Sequence, residues 1–208
     1  MLRIEQLQVH GLPPLTFEVA SGECLAIEGP SGSGKTLLLR AIADLDEAAG
    51  YVTLDGQERR EMPATAWRRL VRFVAAEAAW WGDTPRESIA DAARAERGLR
   101  ALGLTPEHLD RPLARLSTGE RQRLALVRAL ADEPKVLLLD EPTAALDATN
   151  AALAEEMIRF QILAGRCVVL VSHDPSQIGR LADASLQLAE GRAMRPAPEA
   201  VRAAGTAS

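Results

Sequence analysis

Aromatic residues are scarce, 3% of a 208-residue chain, so the three tryptophans stand out wherever they fall. Histidine occurs only three times, at scattered positions, and no zinc-ligand spacing can be assembled from them. There are two cysteines, Cys24 and Cys167, each inside an apolar run that reads as a strand. That excludes a disulfide framework and suits reduced packing residues of a cytosolic protein. No apolar run approaches the roughly 18 residues that would span a bilayer. Met1-Leu2-Arg3-Ile4-Glu5 has neither the n-region nor the h-region of a secretory signal. Basic excess is lacking too: Lys and Arg number 24 against 29 Asp and Glu, a net charge of −5. This argues against non-specific nucleic-acid binding, and no coiled-coil heptads are present. What remains is 47% hydrophobic and 25% charged, enough to bury a core.

The stretch that organises the chain is Gly29-Pro30-Ser31-Gly32-Ser33-Gly34-Lys35-Thr36, a full match to G-x-x-x-x-G-K-[ST]. Cys24 to Ile27 before it reads as a buried strand, and Leu37 to Ala43 after it as a helix. A glycine-rich turn in that setting lets successive backbone N–H groups cradle an anion at a helix N-terminus. Lys35 then reaches the β- and γ-phosphates, and the Thr36 hydroxyl is placed to ligate Mg²⁺.

Upstream, Leu2, Ile4, Leu7 and Val9 mark one or two amphipathic strands, with a slip of period between Ile4 and Leu7, as a bulge would give. Leu15, Phe17 and Val19 alternate as a half-buried strand. Tyr51 to Leu54 is a further strand ending in the Asp55-Gly56 turn. Pro63 to Leu70 reads as a short helix and Val71 to Val74 as the next strand. From Asp83 to Ala131 the character turns helical, with capping boxes at Thr84–Glu87 and Ser117–Glu120 and a helix stop at Pro134. Strands return at Val136–Leu139 and Cys167–Val171, with a helix from about Asn150 to Leu163 between them. Pro175 to Leu181 reads as a short helix and Ala184 to Leu188 as an edge strand.

Asp140 and Glu141 follow the apolar run Val136–Leu139, at the strand edge where open α/β sheets hold ligands. Asp140 suits Mg²⁺, and Glu141 suits a base polarising a water in line with the γ-phosphate. On their own they also read as two acids capping a strand before Pro142.

Leu116-Ser117-Thr118-Gly119-Glu120 resembles the signature motif of ATP-binding cassette (ABC) ATPases, commonly Leu-Ser-Gly-Gly-Gln. Asp140-Glu141-Pro142-Thr143-Ala144-Ala145-Leu146-Asp147 resembles their Walker B segment running into the D-loop, and Ser172-His173-Asp174 their switch segment. The resemblance implies an α/β P-loop NTPase core with a small antiparallel β-subdomain and an inserted α-helical subdomain. Residues 1–82 and 132–192 form the core in this reading, 83–131 the helical subdomain and 193–208 a frayed tail. It further implies ATP and Mg²⁺ as ligands and hydrolysis by Glu141 with His173 on the γ-phosphate. Two cassettes pair head to tail, most simply as a homodimer, so that Ser117, Thr118, Gly119 and Glu120 of one close on ATP held by Lys35 of the other. Asp147 lies on the seam. Ser117-x-x-Glu120 is also an ordinary capping box, and Asp147 an ordinary N-cap.

Three departures stand out. Thr118 and Glu120 replace glycine and glutamine of the signature. The aromatic expected to stack on adenine is missing, and His10 is the nearest candidate. Ala76 stands where a Mg²⁺-sensing glutamine is expected, leaving adjacent Glu77 as a substitute metal ligand or a solvated loop acid. Trp80 and Trp81 beside it read as core, or as the lining of a groove for a helix of a separate transmembrane permease. The implied location is peripheral, on the cytoplasmic face of the inner membrane. The pattern is similar to ATPase subunits of iron exporters. A soluble, non-transport cassette ATPase is the rival class, and the acidic charge counts against a nucleic-acid partner.

Overall fold

A computed structural model describes residues 1–188. The expected tail, 193–208, lies outside the described residues. The chain starts with β1 (Leu2–Gln8) and β2 (Leu15–Val19), then β3 (Cys24–Glu28), which runs into the phosphate loop and α1 (Lys35–Ile42). Next come β4 (Ala49–Leu54), β5 (Gln57–Glu58), α2 (Ala64–Leu70) and β6 (Val71–Val74). The helical block holds α3 (Ala92–Leu99) and α4 (Thr118–Ala131). The chain then alternates through β7 (Val136–Asp140), α5 (Ala148–Leu163), β8 (Cys167–Val171), α6 (Pro175–Leu181) and β9 (Ala184–Gln187).

Two sheets result. The antiparallel one has the order β2-β1-β4-β5, and the parallel one β6-β7-β8-β3-β9. Register shifts at Ile4/Leu7 against β2 and at Glu5/Gln8 against β4, with Gln6 at φ 50°, so the slip of period is a bulge. Alternation splits the parallel sheet between two cores. Leu25, Ile27, Leu138, Val169 and Val171 pack toward α1 and the antiparallel sheet. Leu137, Leu139, Val168 and Leu170 pack toward the helical block. Every residue of β7 and β8 is buried, as continuous apolar runs in a doubly covered sheet require. Cys24 and Cys167 are free and buried, and burial pushes the Cys24 thiol up to about 12.

The helical block is less helical than its sequence suggests. The capping box at Thr84 forms, but Pro85–Ser88 is one 3₁₀ turn, and short 3₁₀ turns also occupy Pro106–Leu109 and Leu113–Arg115. Gly103, in the left-handed region at φ 65°, and Pro106 and Pro112 break the chain before a longer helix can propagate.

The register of the parallel sheet builds the site. Ile27 pairs with Val171, and Val171 with Asp140, so β3, β8 and β7 end level. The phosphate loop, Ser172-His173 and Glu141 therefore leave the sheet at one edge. The far end of α1 is clamped. Trp67 Nε1 donates to the Ile42 carbonyl at 2.9 Å, the Arg59 guanidinium donates to the Ala41 carbonyl, and Arg68 Nε to that of Asp44 at 3.0 Å. Cations at a helix C-terminus take up orphan carbonyls and oppose the dipole, fixing where the N-terminus points.

Candidate functional site: a phosphate cleft and a separate helix terminus

The loop Gly29–Thr36 lies at the N-terminus of α1. Gly34, the N-cap, sits at φ 91°, a left-handed geometry that a side chain resists. Lys35 is only 7% exposed, and its Nζ donates to the carbonyls of Gly29 at 2.7 Å and Pro30 at 2.9 Å. Both partners are dipoles, not charges, so the buried ammonium retains its affinity for an anion. Thr36 Oγ1 donates to Asp140 Oδ2 at 2.6 Å, across two segments far apart in sequence.

A cleft of about 320 Å³ is lined by Ser31, Gly32, Ser33, Gly34, Lys35, Thr36, Ala76, Asp140, Glu141 and His173 among others. Two buried polar atoms without a hydrogen-bond partner, Ser33 Oγ and Glu141 Oε1, belong to residues of this cleft. Unpartnered buried polar groups are rare and point to a ligand or water. His173 N donates to Glu141 Oε2 at 3.4 Å, and His173 Nε2 lies 3.5 Å from Oε1. Burial pushes the Glu141 carboxyl above the ordinary carboxylate range; the charge of His173 pulls it back and that of Asp140 adds to the rise.

The metal fits the same residues. Among the described residues no group of three or more His, Cys, Asp or Glu could cage a metal ion. Mg²⁺ needs no such cage: one or two protein oxygens, phosphate oxygens and water complete its octahedron. Thr36 Oγ1 and Asp140 Oδ2 already meet at one point and supply such oxygens.

The signature residues are not in this cleft. Ser117 caps α4: its Oγ accepts from Glu120 N at 3.1 Å, while Ser117 N donates to Glu120 Oε2 at 2.7 Å. The capping hydroxyl keeps its own proton, and the first amides of α4, at Thr118 and Gly119, have no intrahelical partner. Glu120 is further held by His108 Nε2 at 3.2 Å and Arg111 at 3.6 Å. The backbone amide of Ser117 holds its carboxyl below the usual range. A Cβ on Gly119 would lie 3.2 Å from the Ala145 carbonyl oxygen and 3.3 Å from Leu146, so α4 begins directly against the loop after Glu141. Asp147 caps α5, accepting from Asn150 N at 2.9 Å, and is exposed.

Other sequence candidates fall outside the cleft. His10 is exposed, in the turn after β1. The side chain over Gly34 is instead Leu12, 3.1 Å from where a Cβ would be, a neighbour the Gly-Leu-Pro-Pro turn did not announce. Glu77 is exposed and does not line the cleft, whereas Ala76 does. Trp80 is half-buried against the helical core and Trp81 is 61% exposed. The Arg128 guanidinium lies over both rings, 4.3 and 5.2 Å from their centroids, and burial pushes it down to about 10, still charged at neutral pH.

Comparison with known proteins agrees with this geometry. The family described as ABC transporter matches residues 12–144. The chain is 42% identical over 180 residues to the aliphatic sulfonates import ATP-binding protein SsuB 2 of Pseudomonas syringae pv. syringae, covering 86% of this chain and 64% of that one. It is 39% identical over 191 residues to the molybdenum import ATP-binding protein ModC of Aromatoleum aromaticum, covering 84% and 50%. The chain thus spans half to two thirds of the length of these relatives. A solved bacterial Atm1-family ABC exporter with ATP bound superposes with a TM-score of 0.81 at 27% identity, over 92% of this chain and 37% of that one. In both sequence and P-loop NTPase fold, this chain belongs to the ABC transporter family.

Proposed function

We propose that the chain is an ATP-hydrolysing subunit that drives a separate membrane-spanning permease through head-to-tail pairing with a second cassette. The observation that carries this is the convergence of Lys35, Thr36, Asp140, Glu141 and His173 on one cleft containing a buried carboxylate oxygen that makes no hydrogen bond. The loop amides and Lys35 bind the phosphates. Thr36 and Asp140 would hold Mg²⁺, which when bound neutralises charge on the phosphate oxygens. Glu141 Oε1 takes a proton from the attacking water, and His173 holds that carboxylate and meets the γ-phosphate. Ser117 stands away from its own chain's cleft, which favours its serving a partner's ATP.

No helix among the described residues is long and apolar enough to cross a membrane. Trp81, exposed and stacked under Arg128, suits the docking of a partner helix, and this contact would hold the chain at the cytoplasmic face. The cargo is not carried by this sequence. Relatives of similar identity are named for importing aliphatic sulfonates and molybdenum, so likeness to iron-export subunits assigns none. The test is Mg·ATP hydrolysis by the purified chain, with co-purification of a membrane protein from detergent-solubilised membranes. Absence of hydrolysis that depends on Glu141 would refute the enzymatic reading. Recovery of the chain without any membrane protein would refute the transport reading.

A further inference from the structure

Behind the cleft lies a polar cluster that the chemistry above does not use. Gln177 of α6 is fully buried. Its Nε2 donates to Thr143 Oγ1 at 2.8 Å and to Glu155 Oε1 at 3.2 Å. Glu155, in α5, is 8% exposed and takes two 2.7 Å hydrogen bonds from Arg180, whose guanidinium also lies 3.8 Å from Asp174. One amide therefore joins three segments: the loop two residues beyond Glu141, the helix that begins after Asp147, and the helix that begins after His173.

That loop is itself stiff. Ala144 N donates to the Glu141 carbonyl at 3.3 Å and Leu146 N to that of Thr143 at 3.0 Å, two consecutive turns. At its far side, Ala145 and Leu146 are the atoms against which Gly119 packs. Moving Thr143 therefore moves Glu141 at one end and the seat of the Ser117 helix start at the other. His173 sits four residues before Gln177 on the opposite side of the same bond. Neither Gln177 nor Thr143 lines the phosphate cleft.

We propose that Gln177 is a positioning residue: its hydrogen bond to Thr143 fixes Glu141 relative to His173 and sets the seat of the signature helix. The inference rests on the hydrolytic reading above and adds to it a residue that touches no ligand. A packing residue would affect melting temperature, whereas a positioning residue affects kcat while leaving ATP affinity intact.

The experiment is steady-state ATPase with equilibrium ATP titration on the full chain, for wild type, Glu141→Gln, Gln177→Leu, Thr143→Val, Thr143→Ser and the Leu/Val double variant. The expected result is a kcat loss of about tenfold in Gln177→Leu and in Thr143→Val, with ATP Kd within about twofold of wild type. The double variant should lose no more than Gln177→Leu alone, since that change already breaks the bond to Thr143. Thr143→Ser keeps the hydroxyl and should stay near wild type. Unchanged kcat in Thr143→Val, a half-buried loop position that tolerates the change, overturns the inference, as do multiplicative losses in the double variant. If the wild type hydrolyses through Glu141 and Gln177→Leu matches it, this inference alone fails. A chain without Glu141-dependent hydrolysis overturns both.

Discussion

Replacing Glu141 by Gln separates chemistry from stability, and the structure fixes the sign of both. The side chain keeps its shape but can no longer accept a proton. General-base catalysis contributes on the order of 10²–10⁴-fold, so kcat should fall by that factor, equivalent to roughly 3–5 kcal/mol of barrier. Affinity for ATP should survive, because Lys35 and the loop amides are untouched. Stability should change the other way. Burial raises the folded-state pKa of Glu141 above its unfolded value, so wild type loses stability as pH rises through that raised pKa. Glutamine carries no such penalty. The variant should therefore melt higher than wild type near neutral pH, and the gap should close as pH falls toward about 4.3, the unfolded value for glutamate. Hydrolysis at saturating ATP, ATP titration and thermal melts across pH give the three readings. Hydrolysis near the wild-type rate sinks the role of Glu141. A variant less stable than wild type at neutral pH refutes the claim that its carboxylate is held against a desolvation cost.

Lys35→Ala removes the buried ammonium, so equilibrium titration should show ATP affinity itself falling, not only rate. His173→Ala removes the charge that pulls Glu141 down, so the acid limb of kcat should move to higher pH; an unmoved limb would show that the two do not interact. Ser117→Arg should leave a folded, ATP-binding monomer but block closure on a partner's nucleotide, which sizing in the Glu141→Gln background with ATP will read. Gly119→Ala brings a methyl to 3.2 Å from the Ala145 carbonyl oxygen and should weaken that ATP-dependent dimer while stability stays within about 1 kcal/mol; a dimer as tight as wild type would show that the loop yields freely.

Features encoded within a few residues were legible in the sequence. The phosphate loop, the cap at Ser117, the bulge after Ile4 and the buried runs of β7 and β8 all depend on local residue type and spacing. What escaped depends on contacts between distant segments. Trp67 falls in the short helix expected over Pro63 to Leu70, and nothing local to it announces that it closes the end of α1, 25 residues away. Leu12 lay in a turn that carried no packing signal, and the hydrogen bond from Gln177 to Thr143 spans 34 residues. The extent of helix within the helical block was hidden for a different reason. A capping box announces where a helix begins but not how far it runs: the box at Ser117 opens the 14-residue α4, the one at Thr84 a single 3₁₀ turn.

One backbone detail explains how adjacent carboxylates serve a single cleft. In an extended strand Asp140 and Glu141 would point to opposite faces. Asp140 keeps the strand geometry, pairs with Val171 and meets Thr36. Glu141 instead adopts φ 48°, the left-handed region, which costs a non-glycine residue on the order of 1 kcal/mol. Its amide still donates to the Val171 carbonyl at 3.0 Å, so the departure begins at a fixed point. The turn breaks the alternation and lets both side chains line the cleft. The fully buried β7 and β8 hold the chain against relaxing out of this conformation. The same turn starts the stiff loop toward Asp147 that Gln177 anchors at Thr143. The geometry that places the Glu141 carboxylate therefore also places the surface against which α4 begins.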